Sequence, residues 1–121
     1  MAYDRNNVFA RILRGEIPAK KVYEDEHALA FHDIHPDAPV HVLVVPKGEY
    51  ETLHDFATKA PAELVAGLWK AVAAVVEQTG VAATGYRTII NTGHDGGQEV
   101  GHVHVHVLAG RPIGPMVLRR E

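Results

Sequence analysis

The chain has 121 residues, 46% hydrophobic and 22% charged, and a formal charge of −3 with its histidines neutral. That length suits a single domain, residues 1–121, large enough for its own core. The slightly acidic balance excludes a global basic field for nucleic acid, and the absence of cysteine excludes disulfides and thiolate metal sites.

Taken in order, Met1–Asn7 lacks the apolar run of a secretory leader. No later run approaches membrane-spanning length, so a cytoplasmic protein is expected. Asn7 to Gly15 reads as a short helix, capped by Asn7, ended by Gly15 and followed by Pro18. Val8, Phe9, Ile12 and Leu13 share one face, and Phe9 is a candidate pocket wall. Lys20–Glu24 and Ala28–Ile34 read as a hairpin around Asp25-Glu26-His27. After the prolines 36 and 39, Val40–Pro46 reads as a third strand, dense in valine, with His41 inside it. His41 matters to a site only if this strand lies beside other chemistry.

Residues 49–60 read as a polar loop with a helical turn. Pro61 then opens a long helix that ends at Thr79-Gly80. Its stripe of Leu64, Val65, Leu68, Trp69, Val72, Val75 and Val76 is expected to cover one face of a sheet, with Trp69 in the core. Tyr86–Asn91 reads as a fourth strand. Thr92–Gln98 is a glycine-rich turn that needs positive φ angles and brings backbone N–H groups close to an anion. It is not a P-loop, because no Gly-Lys-Ser/Thr follows and no helix is expected to begin there. The tail, residues 109–121, is irregular, with Arg119 and Arg120 solvated.

The stretch Gly101–Leu108 organises the rest. Read as a strand, it turns Val103, Val105 and Val107 toward a core and His102, His104 and His106 to the opposite face. A purely structural row of three imidazoles would need a partner for every buried nitrogen. Two chemistries compete. All three rings cannot readily chelate one ion, since the outer pair stand roughly 13 Å apart along an extended strand. No carboxylate follows within the next few residues to complete a site, so no metal is expected. The other chemistry is nucleophilic attack by the central imidazole on phosphorus, with the glycine turn receiving phosphate oxygens.

His102-Val103-His104-Val105-His106-Val107-Leu108 resembles the motif of the histidine-triad superfamily. Residues 7–20, 30–34, 38–46 and 91–98 resemble its Hint branch, the histidine-triad nucleotide-binding proteins. The resemblance spans nearly the whole chain. It implies an α+β fold: a five-stranded antiparallel sheet with one long and one short helix, forming a symmetric homodimer. It also implies hydrolysis of the P–N bond of purine nucleoside 5′-phosphoramidates through a nucleotidyl-histidine, without cofactor, metal, membrane or nucleic acid. By position, His104 resembles the nucleophile, and His102 and His41 the residues that hold its ring. His106 resembles the phosphate-contacting histidine that helps the leaving group take a proton. Asn91, Gly97 and the backbone of Gln98, Glu99 and Val100 resemble phosphate contacts. Asp33 resembles the carboxylate that accepts both ribose hydroxyls. Val8, Phe9, Ile12, Phe31, Ile34 and Leu43 resemble a purine pocket.

Glu99 and Gly101 stand where familiar eukaryotic members carry serine and tyrosine, and the tail lacks their tryptophan. Two alternatives follow. One is a dinucleoside polyphosphate hydrolase of the Fhit branch, against which residues 7–20 argue. The other is a non-catalytic nucleotide-binding adaptor, against which the intact triad argues.

Overall fold

The structure, a computed structural model, describes residues 2–118. Arg119 and Arg120, read as solvated, lie outside the described residues. Asn7 caps α1 (Val8–Leu13), its side-chain oxygen accepting from the Ala10 N–H at 2.9 Å. β1 (Lys21–Glu24) and β2 (Ala28–His32) form the expected hairpin. Asp25 Oδ1 shapes its turn by accepting from the His27 and Ala28 N–H groups. β3 is Val40–Pro46, as its valines predict.

The polar 49–60 segment holds more helix than expected. α2 (Leu53–Lys59) is nearly two turns long, capped by Thr52 Oγ1 and anchored by buried Phe56. A single buried aromatic in a polar segment leaves too little periodicity to read. α3 (Ala62–Thr79) follows, and Gly80 closes it in a left-handed conformation. β4 (Arg87–Ile89) leads into a one-turn helix, α4 (Gly93–Gly96), so a helical turn does begin in the glycine loop. Among the described residues there are therefore four helices rather than two.

β5 (Val105–Ala109) is shorter at its start than the sequence suggests, and the irregular tail begins at Gly110. The last β3–β5 pair is Val44 with Val105. Beyond it, Pro46 has no N–H to extend the ladder. Its carbonyl is instead taken by the His102 ring at 2.9 Å. The alternation of valine and histidine persists without strand pairing.

The strands make one antiparallel sheet in the order β1-β2-β3-β5-β4, an α+β architecture. Its two faces have separate cores. Val42, Val44, Val103, Val105 and Val107 pack with Ala28 and Ala30 against Leu68, Ala71, Val72 and Val75 of α3. Gly67 permits this approach, since a Cβ there would stand 2.5 Å from the His27 side chain. On the other face, Leu29, Phe31, Leu43 and Val45 meet Phe9 of α1. This is the face of the histidines, because Leu43 is registered with His106 and His41 with Leu108.

Trp69 is not in the core: it is 45% exposed. Leu64 and Val65 of the same stripe are partly buried and still pack against this core, whereas Trp69 lies on the outer edge of the stripe. No helix among the described residues is long and apolar enough to cross a membrane.

Candidate active site

The central sheet places β3 beside β5, so His41 joins the histidine row from the neighbouring strand. The side chains above this face border a cavity of about 540 Å³. That volume is within the range of small-molecule sites.

The hydrogen bonds determine which nitrogen of each ring carries hydrogen. His102 is fully buried. Its Nε2 lies 2.9 Å from the Pro46 carbonyl, so Nε2 carries the hydrogen. Its Nδ1 then accepts from the Tyr3 hydroxyl at 2.6 Å. His104 Nδ1 lies 2.7 Å from the His102 carbonyl, which makes Nδ1 the donor and leaves Nε2 with a free lone pair. His41 Nδ1 accepts from the Asp37 N–H at 3.0 Å, so its Nε2 carries hydrogen. That hydrogen points to His106 Nδ1 at 2.9 Å, which leaves Nε2 of His106 as a donor. The row therefore offers a lone pair at His104 and an N–H at His106, and the two ring centroids are 5.0 Å apart.

Burial keeps the three rings of the row, His102, His104 and His106, neutral. It lowers His102 to about 4. His106 also falls to about 4, first from burial and then from the neighbouring His104 and His41, against the pull of Asp33 and Asp37. His104 is lowered by burial too, opposed by its bond to the His102 carbonyl and by the charges of Asp33 and Glu99. A neutral imidazole is the nucleophilic form.

Asp33, His41 and His106 bring ligand atoms within 4.8 Å of one another, spacing that could hold a cation. The tautomers oppose it. Coordination at His41 Nε2 would move its hydrogen to Nδ1, against the Asp37 N–H. Coordination at His106 Nδ1 would displace the His41 hydrogen bond.

A HIT domain model matches residues 14–113 of this chain. The purine nucleoside phosphoramidase of Escherichia coli K12 is 46% identical over 114 residues, covering 93% of this chain and 94% of that one. An uncharacterised HIT-like protein of Azospirillum brasilense is 58% identical, covering 97% and 96% of the two chains. Among solved structures, a HIT family hydrolase from Clostridium thermocellum superposes with a TM-score of 0.87 at 40% identity, covering 95% and 99%. The chain belongs to the HIT domain family.

In this HIT domain, the proposed purine-pocket residues Val8, Phe9, Ile12, Phe31, Ile34 and Leu43 all line the cavity, as do Asp33, Asn91, Gly97, Glu99 and Val100. Ile34 stands at the rim, 85% exposed. Gly93 and Gly97 adopt the positive φ angles expected of the loop. Gln98 departs from its expected part. Its N–H is committed to the Gly93 carbonyl at 3.0 Å, and its side chain braces the loop through Glu51, Val100 and Gly93. The N–H groups of Glu99 and Val100 donate to no acceptor among the described residues.

Two other expected roles are redistributed. His41 holds His106 rather than His104. His102 holds the His104 ring through its peptide carbonyl, while its own imidazole lies outside the cavity lining. Sequence reasoning missed Tyr3 and Asp37. Tyr3 sits in a segment without periodicity, and Asp37 acts through a backbone N–H that no side-chain pattern reports.

Proposed function

We propose that this chain hydrolyses purine nucleoside 5′-phosphoramidates to AMP and an amine through a covalent nucleotidyl-His104. The observation that carries the proposal is the tautomer of His104: hydrogen on Nδ1, lone pair on Nε2, in a ring bordering the cavity. Likeness to the E. coli phosphoramidase supports the choice of substrate.

In the first step His104 Nε2 attacks phosphorus. The P–N bond breaks, its electron pair stays on nitrogen, and one proton taken up from solvent and relayed through His106 Nε2 completes the amine. The free N–H groups of Glu99 and Val100, with Asn91, receive phosphate oxygens. Water then attacks phosphorus, and the electron pair of the histidyl bond returns to His104. AMP leaves, and the proton taken up earlier is released. Asp33, its carboxylate steadied by the His35 N–H at 2.8 Å, accepts the ribose hydroxyls. The apolar wall around Phe9 and Phe31 takes the purine.

Glu99 on the cavity lining favours amine over polyphosphate leaving groups and so disfavours the dinucleoside polyphosphate reading. We further propose a homodimer. Exposed Trp69, exposed Tyr86 and the three-residue edge strand β4 support it. A cytoplasmic location accords with the lack of cysteine.

A substrate panel tests the activity. Adenosine 5′-phosphoramidate is expected to release AMP at least about 100-fold faster than diadenosine tri- or tetraphosphate, a discrimination of about 2.7 kcal/mol. Preference for the polyphosphates would replace the proposal with the second branch. Tight AMP binding without turnover would replace it with the adaptor.

A further inference from the structure

We propose that Tyr3 is a positioning residue for the nucleophile, acting on His104 through His102. The proposal rests on the phosphoramidase reading for its kinetic consequence, but its geometry is independent of that reading.

The Tyr3 hydroxyl lies 2.6 Å from His102 Nδ1, and the two rings meet edge to face at 5.7 Å. His102 is fully buried, and its other nitrogen faces the Pro46 carbonyl at 2.9 Å. A carbonyl only accepts, so His102 has hydrogen on Nε2 and a lone pair on Nδ1. Tyr3 must then be the donor. Burial pushes the Tyr3 phenol up, which keeps its hydrogen in place.

Both nitrogens of His102 are thus occupied. The ring cannot turn without stranding a buried donor or acceptor. A fixed ring fixes the peptide that carries it, and the carbonyl of that peptide accepts from His104 Nδ1 at 2.7 Å. Phe9 closes the arrangement, its ring 6.5 Å from His102 and 4.9 Å from His104. Loss of the Tyr3 hydroxyl leaves a buried lone pair without a donor. His102 then turns or shifts, and its carbonyl releases His104. The released ring gains access to the other tautomer, with hydrogen on the nitrogen that must attack.

Tyr3 is itself held. Asp4 accepts from the N–H groups of Asn6 and Asn7, Arg14 donates to the Arg5 carbonyl at 2.7 Å, and Arg5 pairs with Glu49 at 3.0 Å. The segment is therefore fastened to α1 on one side and to the loop before α2 on the other. Neither Tyr3 nor His102 lines the cavity, so neither touches substrate.

The test is Tyr3→Phe, which removes one oxygen and keeps the ring. Two readouts are needed: steady-state kinetics with adenosine 5′-phosphoramidate, and ¹⁵N imidazole spectra of the substrate-free protein. The expected result is a fall in kcat of about tenfold with KM within about twofold. The His104 spectrum should lose its pure Nδ1–H signature. Unchanged His104 tautomers overturn the proposal whatever the rate does, because a loss of activity would then be merely structural. An unchanged kcat overturns it as well. Should the parent not hydrolyse phosphoramidates, the activity reading fails, and the nitrogen spectra alone decide the hold on His104. Should Tyr3→Phe not fold, the parent spectrum decides. Hydrogen-bonded, unprotonated Nδ1 on His102 supports the proposal, and protonated Nδ1 overturns it.

Discussion

His104 Nδ1 donates to the carbonyl oxygen of His102, its neighbour two residues back, across 2.7 Å. The orienting group is a peptide, not a carboxylate. A peptide oxygen stabilises the Nδ1–H tautomer without competing for the proton. The proposed nucleophile is therefore oriented by the same segment that carries it.

Acid sensitivity follows from the buried rings. His102 and His106 are held at about 4, against 6.5 for the free side chain. The unfolded chain therefore binds protons between those values that the folded chain does not. Stability is complete above about pH 6.5 and is lost as pH falls toward 4. For His102 alone the loss is on the order of 3 kcal/mol. Glu16, Glu24 and Asp25, whose pKa values are lowered, contribute stability that is present above their usual carboxylate range and is lost only below it, outside this window. Melting temperature should therefore drop between pH 6.5 and 4.5. A flat profile across that interval contradicts neutral buried histidines.

Asp33 borders the cavity with one oxygen bonded to the His35 N–H and the other 3.5 Å from His41 Nε2. Asp33→Ala should weaken AMP binding by about 2 kcal/mol, roughly 30-fold, the value of hydrogen bonds to a charged group. The parent should prefer AMP over its 2′-deoxy form by titration calorimetry. Equal affinities would remove Asp33 from ribose recognition.

Much of this arrangement was legible in the residues. The alternation of valine and histidine told which side chains face α3 and which face α1, because a pleated strand permits only two faces. The valine-rich 40–46 run told of a central strand. That β3 pairs with β5, and so brings His41 to His106, is a long-range fact of topology that no local spacing encodes. Trp69 misled because a helical stripe reports the width of the apolar face, not the width of the sheet beneath it. Tyr3 and the Asp37 N–H were invisible for a different reason. Their work depends on which ring nitrogen bears hydrogen, and only three-dimensional contacts determine that.

Glu99 contributes a negative charge to the cavity lining and to the field at His104. Glu99→Ser should reduce kcat/KM for a phosphoramidate with a cationic amine tail by about threefold to tenfold, the range of one partly solvated charge interaction. A neutral tail should change by less than about twofold. Identical ratios for both tails would show that Glu99 does not read the leaving group.

The tautomers of His41 and His106 leave no lone-pair set for a cation at Asp33. Prolonged treatment with a strong chelator should leave turnover within about 20% of its starting value. Loss of activity that zinc restores would contradict the hydrogen-bond assignment at His41.

The most direct measurement is mass spectrometry of protein quenched in acid-free denaturant during turnover of adenosine 5′-phosphoramidate, with peptide mapping of the adduct. The account predicts an adenylyl group on His104, absent from His104→Ala, which should lose at least about 10⁴-fold in kcat, roughly 5.4 kcal/mol. An adduct on His102 or His106, or near-parental turnover by His104→Ala, would contradict it.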